Sequence, residues 1–401
     1  MIQDINIGRD LFMKKKVIAV LCAAAMTLPI VSARAEYTEN DLKNAIQEAI
    51  DWKNDEDNPY YSIGTESSDM YIMALNRLGW SFDYNSYLVG LDGIAAGYDE
   101  RHNASDMQRT ALATSAAGGD ARNVGGRDLI ADSTYYRDSV SPMDKEGVDG
   151  LSWGLLTLDS GDYNIPDWAL RDRNEIIAGI LSHQNTDGSF DNSIYSTASA
   201  ICALAPYYET SGAYTVVQNQ TGYTIDISPQ QAVDSALEYL EDEQEKDGDW
   251  GDLRSTAMTV IALNSLGINA DGDSRFDERR DTPLDGLMMY QEKDGGFSND
   301  LNDEDGEATS YALCAMVSQL RLMQDKSSFF RFSVNDTVTF ATPKPQTNTA
   351  TTKPTSTKKP TATQKPTSTK KPTTTKKPTA TQKATATLAP KKTTTPRGTA
   401  E

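Results

Sequence analysis

Residues that bind transition metals are scarce in this chain of 401 residues, which has two histidines and three cysteines. Cys22 falls in an N-terminal apolar stretch, so only Cys202 and Cys314 remain for the rest of the chain, each within an apolar segment. A zinc site needs several histidines, thiolates or carboxylates that converge on one point. The composition therefore argues against a metal centre. We expect two buried free thiols, with one disulfide between them as the alternative.

Positive charge is also scarce between residues 36 and 342. The whole chain has a net charge of −20, while its first 35 residues carry +3 and residues 343–401 carry +12. The segment between them therefore carries −35. Nucleic acids bind through basic protein surfaces, so we expect no nucleic-acid partner.

A long apolar run occurs near the N-terminus. Residues 13–35 contain three lysines, an apolar stretch, and then Ala33, Arg34 and Ala35 as a small-residue cleavage site. This order predicts a secretory signal peptide at residues 1–35, with Met13 as an alternative start of translation. We expect a secreted or cell-envelope protein with no transmembrane segment in the mature chain.

Large apolar residues are almost missing from residues 343–401, which consist mainly of Thr, Pro, Lys and Ala. Six successive hexads, among them KPTSTK and KPTATQ, fill residues 353–388. A segment of this composition buries too little apolar surface to offset its ordering entropy, so it is predicted to be disordered. Its lysines can contact an anionic cell wall.

Period-two alternation, which marks strands, is missing until residues 329–340, which predict one short hairpin within a β-like connector at 327–342. Residues 36–326 instead contain Ala- and Leu-rich segments, several of which end just before a glycine, as helices do. Amphipathic outer segments alternate with nearly all-apolar inner ones, and six such pairs predict an all-α fold, a closed (α/α)6 toroid. The outer helices are predicted at 42–52, 87–98, 126–136, 167–184, 229–244 and 279–291, and the inner helices at 67–78, 105–117, 149–158, 196–207, 254–266 and 307–321.

One phrase, Gln-x-x-Asp-Gly-x-aromatic, occurs three times, each time where an outer helix is predicted to end. Asp-Gly is a turn dipeptide whose glycine adopts a positive φ without strain, and a glutamine side chain can bind carbonyl groups that a helix end leaves free. The aromatic side chain can fill the groove beside the next helix pair. We therefore interpret the phrase as scaffolding rather than as a catalytic device. Its residues are Gln184, Asp187, Gly188 and Phe190; Gln244, Asp247, Gly248 and Trp250; and Gln291, Asp294, Gly295 and Phe297.

The stretch YLEDEQEKDGDW at residues 239–250 resembles the QW motif of the prenyltransferase and squalene-cyclase repeat family, in which an aromatic-Leu pair precedes Gln and then Gly-x-Trp. The copies that begin at Gln184 and Gln291 match the second half of that motif only. Residues 109–130 and 149–184 are similar to exported bacterial toroids related to the cobalamin-binding barrel of intrinsic factor and transcobalamin. The resemblance spans residues 37–326 and implies an (α/α)6 toroid.

The branches of this family differ in chemistry. Squalene–hopene-type cyclases place a strong acid at the start of an inner helix, and Asp305 and Glu307 come nearest to that pattern, which Ala308 interrupts. Zinc prenyltransferases imply converging Asp, Cys and His, and thioester toroids imply a Cys-Gly-Glu-Gln stretch that this chain does not have. If the protein is an enzyme, the resemblance implies a cyclase-like or lyase reaction with Glu307 and Asp305 as catalytic residues. The simpler explanation is that both carboxylates cap a helix N-terminus.

Two acidic stretches, residues 269–277 and 299–307, carry oxygen-bearing side chains spaced as in calcium-binding loops. The first lacks the glycine at the sixth position and has Arg280 where the bidentate glutamate belongs. Solvated turns explain both stretches, so we assign no metal and keep calcium as an alternative.

The similarity to cobalamin carriers implies a binding site at one end of the ring, lined by the first residues of the inner helices. The candidates there are Asp69, Arg109, Asp149, Tyr195, Arg254 and Thr309. Because no branch's catalytic signature is complete, we expect a non-catalytic module that binds a small hydrophobic or corrinoid ligand, or a component of the cell envelope. A deep apolar cavity with a buried Glu307 of raised pKa would favour an enzyme, and a shallow mouth or a ring centre filled by side chains would favour binding or scaffolding.

Overall fold

Twelve α-helices make up most of the computed structural model, which describes residues 36–55, 62–99, 101–137, 142–210, 212–277, 281–301 and 305–340. The predicted signal peptide and tail lie outside the described residues. The outer helices are α1 (Glu39–Lys53), α3 (Tyr84–Ala95), α5 (Leu129–Ser133), α7 (Arg173–Ser182), α9 (Pro229–Asp242) and α11 (Pro283–Met288). The inner helices are α2 (Glu66–Leu78), α4 (Ala104–Ala116), α6 (Gly147–Ser160), α8 (Ile194–Leu204), α10 (Leu253–Ser265) and α12 (Gly306–Met323). Short 3-10 helices occupy Met143–Glu146, Ala205–Tyr207 and Ser274–Phe276.

The inner helices form a closed ring. Each contacts two other inner helices, in the order α2, α4, α6, α8, α10 and α12, and α12 returns to α2. The outer helices pack on this ring, with α1 against α12 and each of the other five against an inner helix next to it in the chain. The predicted all-α toroid of six helix pairs is confirmed.

Burial separates the two sets of helices as their sequences predict. In α12 every residue from Ala308 to Arg321 is buried, whereas α9 buries little more than one stripe, formed by Ala232, Val233, Ala236, Leu237 and Leu240. That stripe follows the i, i+3, i+4, i+7 spacing of an amphipathic helix. Five helices start with a complete capping box, in which the N-cap side chain and the residue three positions later bind each other's backbone N–H groups. The capping residues are Thr38, Thr65, Asp172, Ser228 and Thr282.

The glycine of each repeated motif lies against the backbone of the next outer helix or its N-cap. All three glycines have a positive φ, between +89° and +99°. A Cβ atom at Gly188 or Gly248 would come within 2.2 Å of a carbonyl oxygen, and one at Gly295 within 2.7 Å. The carbonyl groups belong to Ser235 at α9, Thr282 before α11 and Glu48 at α1, respectively. The third copy therefore helps to close the ring, and the predicted scaffolding role agrees with these contacts.

Two of the motif glutamines bridge to a neighbouring segment. Gln184 Nε2 donates to the carbonyl of Gly188 at 3.0 Å and to that of Ala232 on α9 at 2.7 Å. Gln244 Nε2 makes the equivalent bond to Gly248 and a second one to the carbonyl of Phe276 at 3.2 Å. Gln291 Nε2 is buried and has no hydrogen-bond partner among the described residues.

A threonine in the following inner helix completes each motif, which the sequence analysis missed. The backbone N–H of the motif aromatic donates to this threonine's Oγ1, which in turn donates to the carbonyl of its own helix's N-cap residue. The pairs are Phe190 with Thr197, Trp250 with Thr256 and Phe297 with Thr309, at 2.9–3.1 Å. The N-cap acceptors are Ser193, Asp252 and Asp305. The hydroxyl thus fixes the turn between outer and inner helix.

The predicted hairpin at 329–340 is wrong, because the structure assigns turns and irregular backbone to that stretch and no strand. Its backbone groups form short turns, and the Asp336 carboxylate accepts from Arg321 Nη2 at 2.7 Å and from the backbone N–H of Ser327 at 2.7 Å. The two-stranded antiparallel sheet of the described residues lies elsewhere, with β1 (Tyr214–Val217) paired to β2 (Thr224–Ile227). This sheet connects α8 to α9, and the sequence did not predict it.

Some helix bounds also differ from the predicted ones. Helix α7 begins at Arg173 rather than at residue 167, because Asp172 caps it. Helices α5 and α11 are shorter than predicted, and α11 begins at Pro283 after its cap, Thr282.

Cys202 and Cys314 are buried and free, as expected. Within the part of the chain that the structure describes, no helix combines the length and the hydropathy that a membrane span requires.

Candidate functional site

One end of the ring is closed by residues 327–340, which we call the plug. Phe329 and Phe330 are buried, and the Phe330 ring packs edge-on against Trp153 of α6 at 5.6 Å between centroids. Arg77 and Arg321, near the ends of α2 and α12, donate to the carbonyl groups of Val334 and Asp336 respectively. The plug therefore fills the ring from the end where the inner helices finish.

The opposite end, where the inner helices begin, is open. A cavity of about 630 Å³, the large cavity, lies at this open mouth, and a second one of about 150 Å³, the small cavity, lies beside it. The large cavity is lined by Ser62, Thr65, Ser67, Arg254, Asn299, Asp305, Gly306, Glu307, Ala308 and Tyr311. The small cavity is lined by Glu66, Ser105, Asp106, Arg109, Asp149, Trp153, Tyr195, Arg254 and Tyr311. Because Trp153 also touches the plug, the ring has no channel at that point.

Arg254 borders both cavities and is the centre of the charged network at the mouth. Its Nη2 pairs with Glu66 Oε1 at 2.6 Å, and its Nη1 lies 3.5 Å from Glu307 Oε1. The guanidinium also lies over the rings of Tyr195 and Tyr311, at 4.4 and 5.1 Å from their centroids. Burial opposes the charge of Arg254, but the two tyrosines and Glu66 outweigh it and raise its pKa. The guanidinium is therefore held charged between two aromatic rings.

The two tyrosines hold each other and Glu66 in place. Their hydroxyl oxygens are 3.1 Å apart, and their rings meet edge-on. The Tyr311 hydroxyl also donates to Glu66 Oε1. Each of these side chains comes from the first two turns of a different inner helix, α2, α8 or α12. The ring closure therefore builds this cluster from residues that are far apart in the chain.

Arg109 and Asp69 form a second, deeper ion pair. Arg109 Nε lies 2.9 Å from Asp69 Oδ2, and its Nη1 lies 3.0 Å from Asp106 Oδ1. Asp69 is fully buried and also accepts a hydrogen bond from the Tyr87 hydroxyl. Arg109 lines the small cavity, whereas Asp69 lies behind it and positions its guanidinium.

Two carboxylates at the mouth have environments that favour the protonated form. Burial raises the pKa of Asp149, whose Oδ1 is buried and has no hydrogen-bond partner among the described residues. Burial and the nearby Glu66 carboxylate raise the pKa of Glu307, and Arg254 opposes them. The Glu307 side chain is nevertheless 46% exposed, so water reaches it. Asp149 is thus the carboxylate with unused hydrogen-bonding capacity.

The structure brings most of the predicted site residues together. Arg109, Asp149, Tyr195, Arg254, Asp305 and Glu307 line one cavity or both. Thr309 does not, because it is buried and its hydroxyl binds the Phe297 motif turn. Asp305 is both a wall residue and the N-cap of α12, where its Oδ1 accepts from the Ala308 N–H at 2.6 Å.

Sequence reasoning missed further residues of the mouth. Two of them stand one helical turn after a predicted residue, Trp153 after Asp149 and Tyr311 after Glu307, and that four-residue spacing is a usable signal. Glu66 and Ser67 begin α2, and Ser67 is the first residue of the predicted helix, so the helix start itself was a usable signal.

The acidic loops offer less to a metal than their sequences indicate. Asp271 accepts from the Tyr37 N–H at 2.6 Å and from the Thr282 hydroxyl at 3.2 Å, and Asp273 pairs with Arg275 at 3.0 Å. Residues 302–304 of the second loop lie outside the described residues, so calcium there stays a prediction. Among the described residues, the carboxylates of Glu245, Asp247 and Asp249 lie within 4.8 Å of one another, and the sequence did not predict this group.

Comparison with known proteins does not assign a function. No protein-family model matches the chain, and no curated protein matches it. One solved structure, of a possible member of the GH105 family from Salmonella enterica, is similar with a TM-score of 0.46 and 10% sequence identity. The match covers 74% of this chain and 98% of that chain. A likeness at this level carries no information on activity.

Proposed function

We propose that the protein is an exported binding module whose open mouth takes a small polar ligand, neutral or cationic. The observation that carries the proposal is the closed toroid with one end filled and the other end formed into a cavity of about 630 Å³. Ligand sites in proteins are concavities of this size, with a few convergent polar groups on aromatic walls. The mouth offers both kinds of group, with Tyr195 and Tyr311 beside Arg254 and Glu66.

The charge of the mouth supports a cationic or neutral ligand. Five acidic and two basic side chains line the cavities, and one of the basic ones, Arg254, is already neutralised by Glu66. The arrangement of two tyrosine rings and carboxylates around a guanidinium is one that also holds organic cations. An anionic ligand, such as a diphosphate, would meet these carboxylates and the −35 charge of residues 36–342.

The exposure of the Glu307 side chain to water favours binding over cyclase-type proton donation. A carboxylic acid that protonates a hydrocarbon must stay protonated and shielded from water. Burial and Glu66 raise the pKa of Glu307 although Arg254 opposes them, but its side chain is 46% exposed, so the carboxyl group is not shielded from water. The ring centre is filled by side chains, an arrangement that supports binding or scaffolding.

A corrinoid ligand has less support than a smaller one. In the cobalamin carriers that the sequence resembles, a β-domain after the barrel closes over the ligand. Here residues 327–340 follow the ring and fill its opposite end, so they do not stand at the open mouth. Corrinoids therefore serve as a comparison in the binding test.

Ligand-dependent stabilisation of the full mature chain tests the proposal. We expect methylguanidine or a small alkylamine to raise the melting temperature in a saturable way, because a ligand at 100 times its Kd stabilises by about 2.7 kcal/mol. Glu66→Gln should abolish the shift. Glu241→Gln, an exposed carboxylate on α9, is the matched control and should retain it. Stabilisation by an isoprenoid diphosphate or a corrinoid, without any by amines, would contradict the proposal.

A second candidate function is a lyase or hydrolase that uses Asp149 and Glu307. The observation that favours it is the buried, unpartnered Oδ1 of Asp149 in the wall of the small cavity. A carboxyl group of this kind is suited to give a proton to a bound substrate. If a turnover is found, Asp149→Asn should reduce kcat by about 100-fold or more. An unchanged kcat would exclude this role.

Export is part of the proposal and rests on residues 13–35. Sequencing the N-terminus of protein secreted by its host should find Glu36 first. The basic tail would hold the module near an anionic cell wall, and high salt should release it.

A further inference from the structure

A buried lysine lies directly behind a serine in the wall of the large cavity. Lys53, the last residue of α1, is 4% exposed, and its Nζ donates to Ser67 Oγ at 2.8 Å and to the Gly306 carbonyl at 3.0 Å. Ser67 and Gly306 both line the large cavity, and Ser67 is partly exposed there. The amine is therefore shielded from water, while the hydroxyl that it contacts is accessible to a ligand.

The surroundings of Lys53 favour its neutral form more than water does. Burial lowers the pKa of Lys53 to about 8, and the carboxylate of Asp305 opposes this shift without cancelling it. The Tyr71 ring of α2 also faces the amine, with its centroid 5.3 Å from Nζ. At pH 7 about a tenth of such amines are unprotonated, a fraction far larger than for a lysine in water. A lysine in this state can act as a general base.

The Ser67 hydroxyl lies where two long helices begin. It donates to the carbonyl of Gly306, the first residue of α12, at 2.6 Å, and it is 3.3 Å from Ser310 Oγ. Ser67 itself is the second residue of α2. The positive ends of two helix dipoles therefore surround this point and favour negative charge on an oxygen atom there.

We propose that Ser67 is a catalytic nucleophile, with Lys53 as its general base, in acyl transfer from an ester or amide whose carbonyl group enters the large cavity. Serine–lysine pairs are one of the recurrent variants of the serine hydrolase arrangement. Because the cavity wall is acidic, the acyl compound should be neutral or cationic. This activity goes beyond reversible binding and does not depend on which ligand binds at Arg254.

The reaction proceeds in two halves. The Ser67 hydroxyl first turns its hydrogen from the Gly306 carbonyl to neutral Lys53 Nζ. Lys53 takes this proton as Ser67 Oγ bonds to the carbonyl carbon, and the C=O electron pair moves to the carbonyl oxygen. The pair returns, the bond to the leaving group breaks, and the leaving group takes the proton from Lys53 Nζ. Water then attacks the Ser67 ester and gives its proton to Lys53. The acyl product leaves as an acid, and the proton returns to Ser67.

A purely structural role is the alternative. The bond from Lys53 to Gly306 joins the first helix to the last inner helix, so it also helps to close the ring. A lysine with only that role must donate hydrogen bonds but has no need to lose a proton. The two roles therefore differ in their dependence on pH and in what an arginine can replace.

Labelling with an uncharged fluorophosphonate probe tests the proposal on the full mature chain. We expect one covalent adduct per chain, located at Ser67 by peptide mass spectrometry, with a labelling rate that rises with pH and reaches half its maximum near pH 8. Ser67→Ala should abolish the adduct. Ser86→Ala removes an exposed serine from the first turn of α3, whose hydroxyl donates to Asp83, and should label like the wild type.

Two lysine variants separate catalysis from folding. Lys53→Arg retains a donor for the Gly306 carbonyl but stays charged, so it should keep the fold and lose labelling at least 100-fold. Lys53→Gln should behave likewise if it folds, as judged by circular dichroism. Absence of an adduct in the wild type, or wild-type labelling of Lys53→Arg, would overturn the proposal. Neither result would affect the melting-temperature shifts expected from ligands at Arg254.

Discussion

The two ends of the ring use the same residue types for opposite purposes. At the plugged end, Arg321 is 1% exposed and donates to backbone carbonyls, to Ser327 and to Asp336. At the open end, Arg254 binds the side chains of Glu66 and Glu307 and lies over two tyrosine rings. Arg321 binds mainly backbone carbonyls and therefore has a structural role. Arg254 is held by side chains beside a cavity, so it can exchange those partners for a ligand.

The largest expected effect is the loss of stability when the plug loses its contacts with Arg321 of α12. Arg321→Ala should reduce the free energy of unfolding by about 3–5 kcal/mol, because it removes a buried donor from Asp336 and from several carbonyl groups. Arg254→Ala should cost less, about 1–2 kcal/mol, because its carboxylate partners Glu66 and Glu307 are partly exposed to water. Urea denaturation of both variants measures the difference. Equal losses would mean that the two ends do not differ as described.

The turns that lead into the inner helices at the open mouth are held by the repeated Gln-x-x-Asp-Gly-x-aromatic motif rather than by arginines. Gly248→Ala should reduce the free energy of unfolding by about 3 kcal/mol, because its Cβ would meet the Thr282 carbonyl at 2.2 Å and its φ is +89°. Gly267→Ala is the matched control, with a φ of +76° and open space around the new methyl group. It should cost about 1 kcal/mol. Similar losses for both would show that φ alone matters and that the close contact does not.

The plugged end should also respond to acid. Burial raises the pKa of Asp336, but the Ser327 N–H and Arg321 outweigh it and bring the pKa to about 2. Because the pKa is lower in the folded chain than in the unfolded one, Asp336 contributes stability above pH 4 that is lost as pH falls toward 2. The contribution is about 2 kcal/mol. Asp336→Asn should therefore be less stable than wild type at pH 7, and the gap should narrow at pH 2. A gap independent of pH would argue against the ion pair.

The sequence predicted the fold better than the site, for a physical reason. Helix alternation and the turn motif are local patterns, so the ring of six pairs followed from them. Which face of an inner helix points into the cavity depends on its rotation in the ring, and Thr309 was placed on the wrong face for that reason. Lys53 ends an outer helix and reaches the cavity wall only because the ring closes between α1, α2 and α12. The plug was predicted as a hairpin from its alternating sequence, but its carbonyl groups at Val334 and Asp336 bind Arg77 and Arg321 instead of a second strand.

The smallest expected effect belongs to Glu307, the residue that the family resemblance put forward as a catalyst. Its side chain is 46% exposed and 3.5 Å from Arg254, an ion pair that water and salt largely screen. Glu307→Gln should therefore change the free energy of unfolding by less than about 0.5 kcal/mol. Glu66→Gln, which breaks the 2.6 Å pair to the same guanidinium and the contact with Tyr311, should cost more, about 1 kcal/mol. Urea denaturation of both at pH 7 makes the comparison. A larger loss for Glu307→Gln would mean that Glu307 anchors Arg254, and the open mouth would then be as fixed as the plugged one.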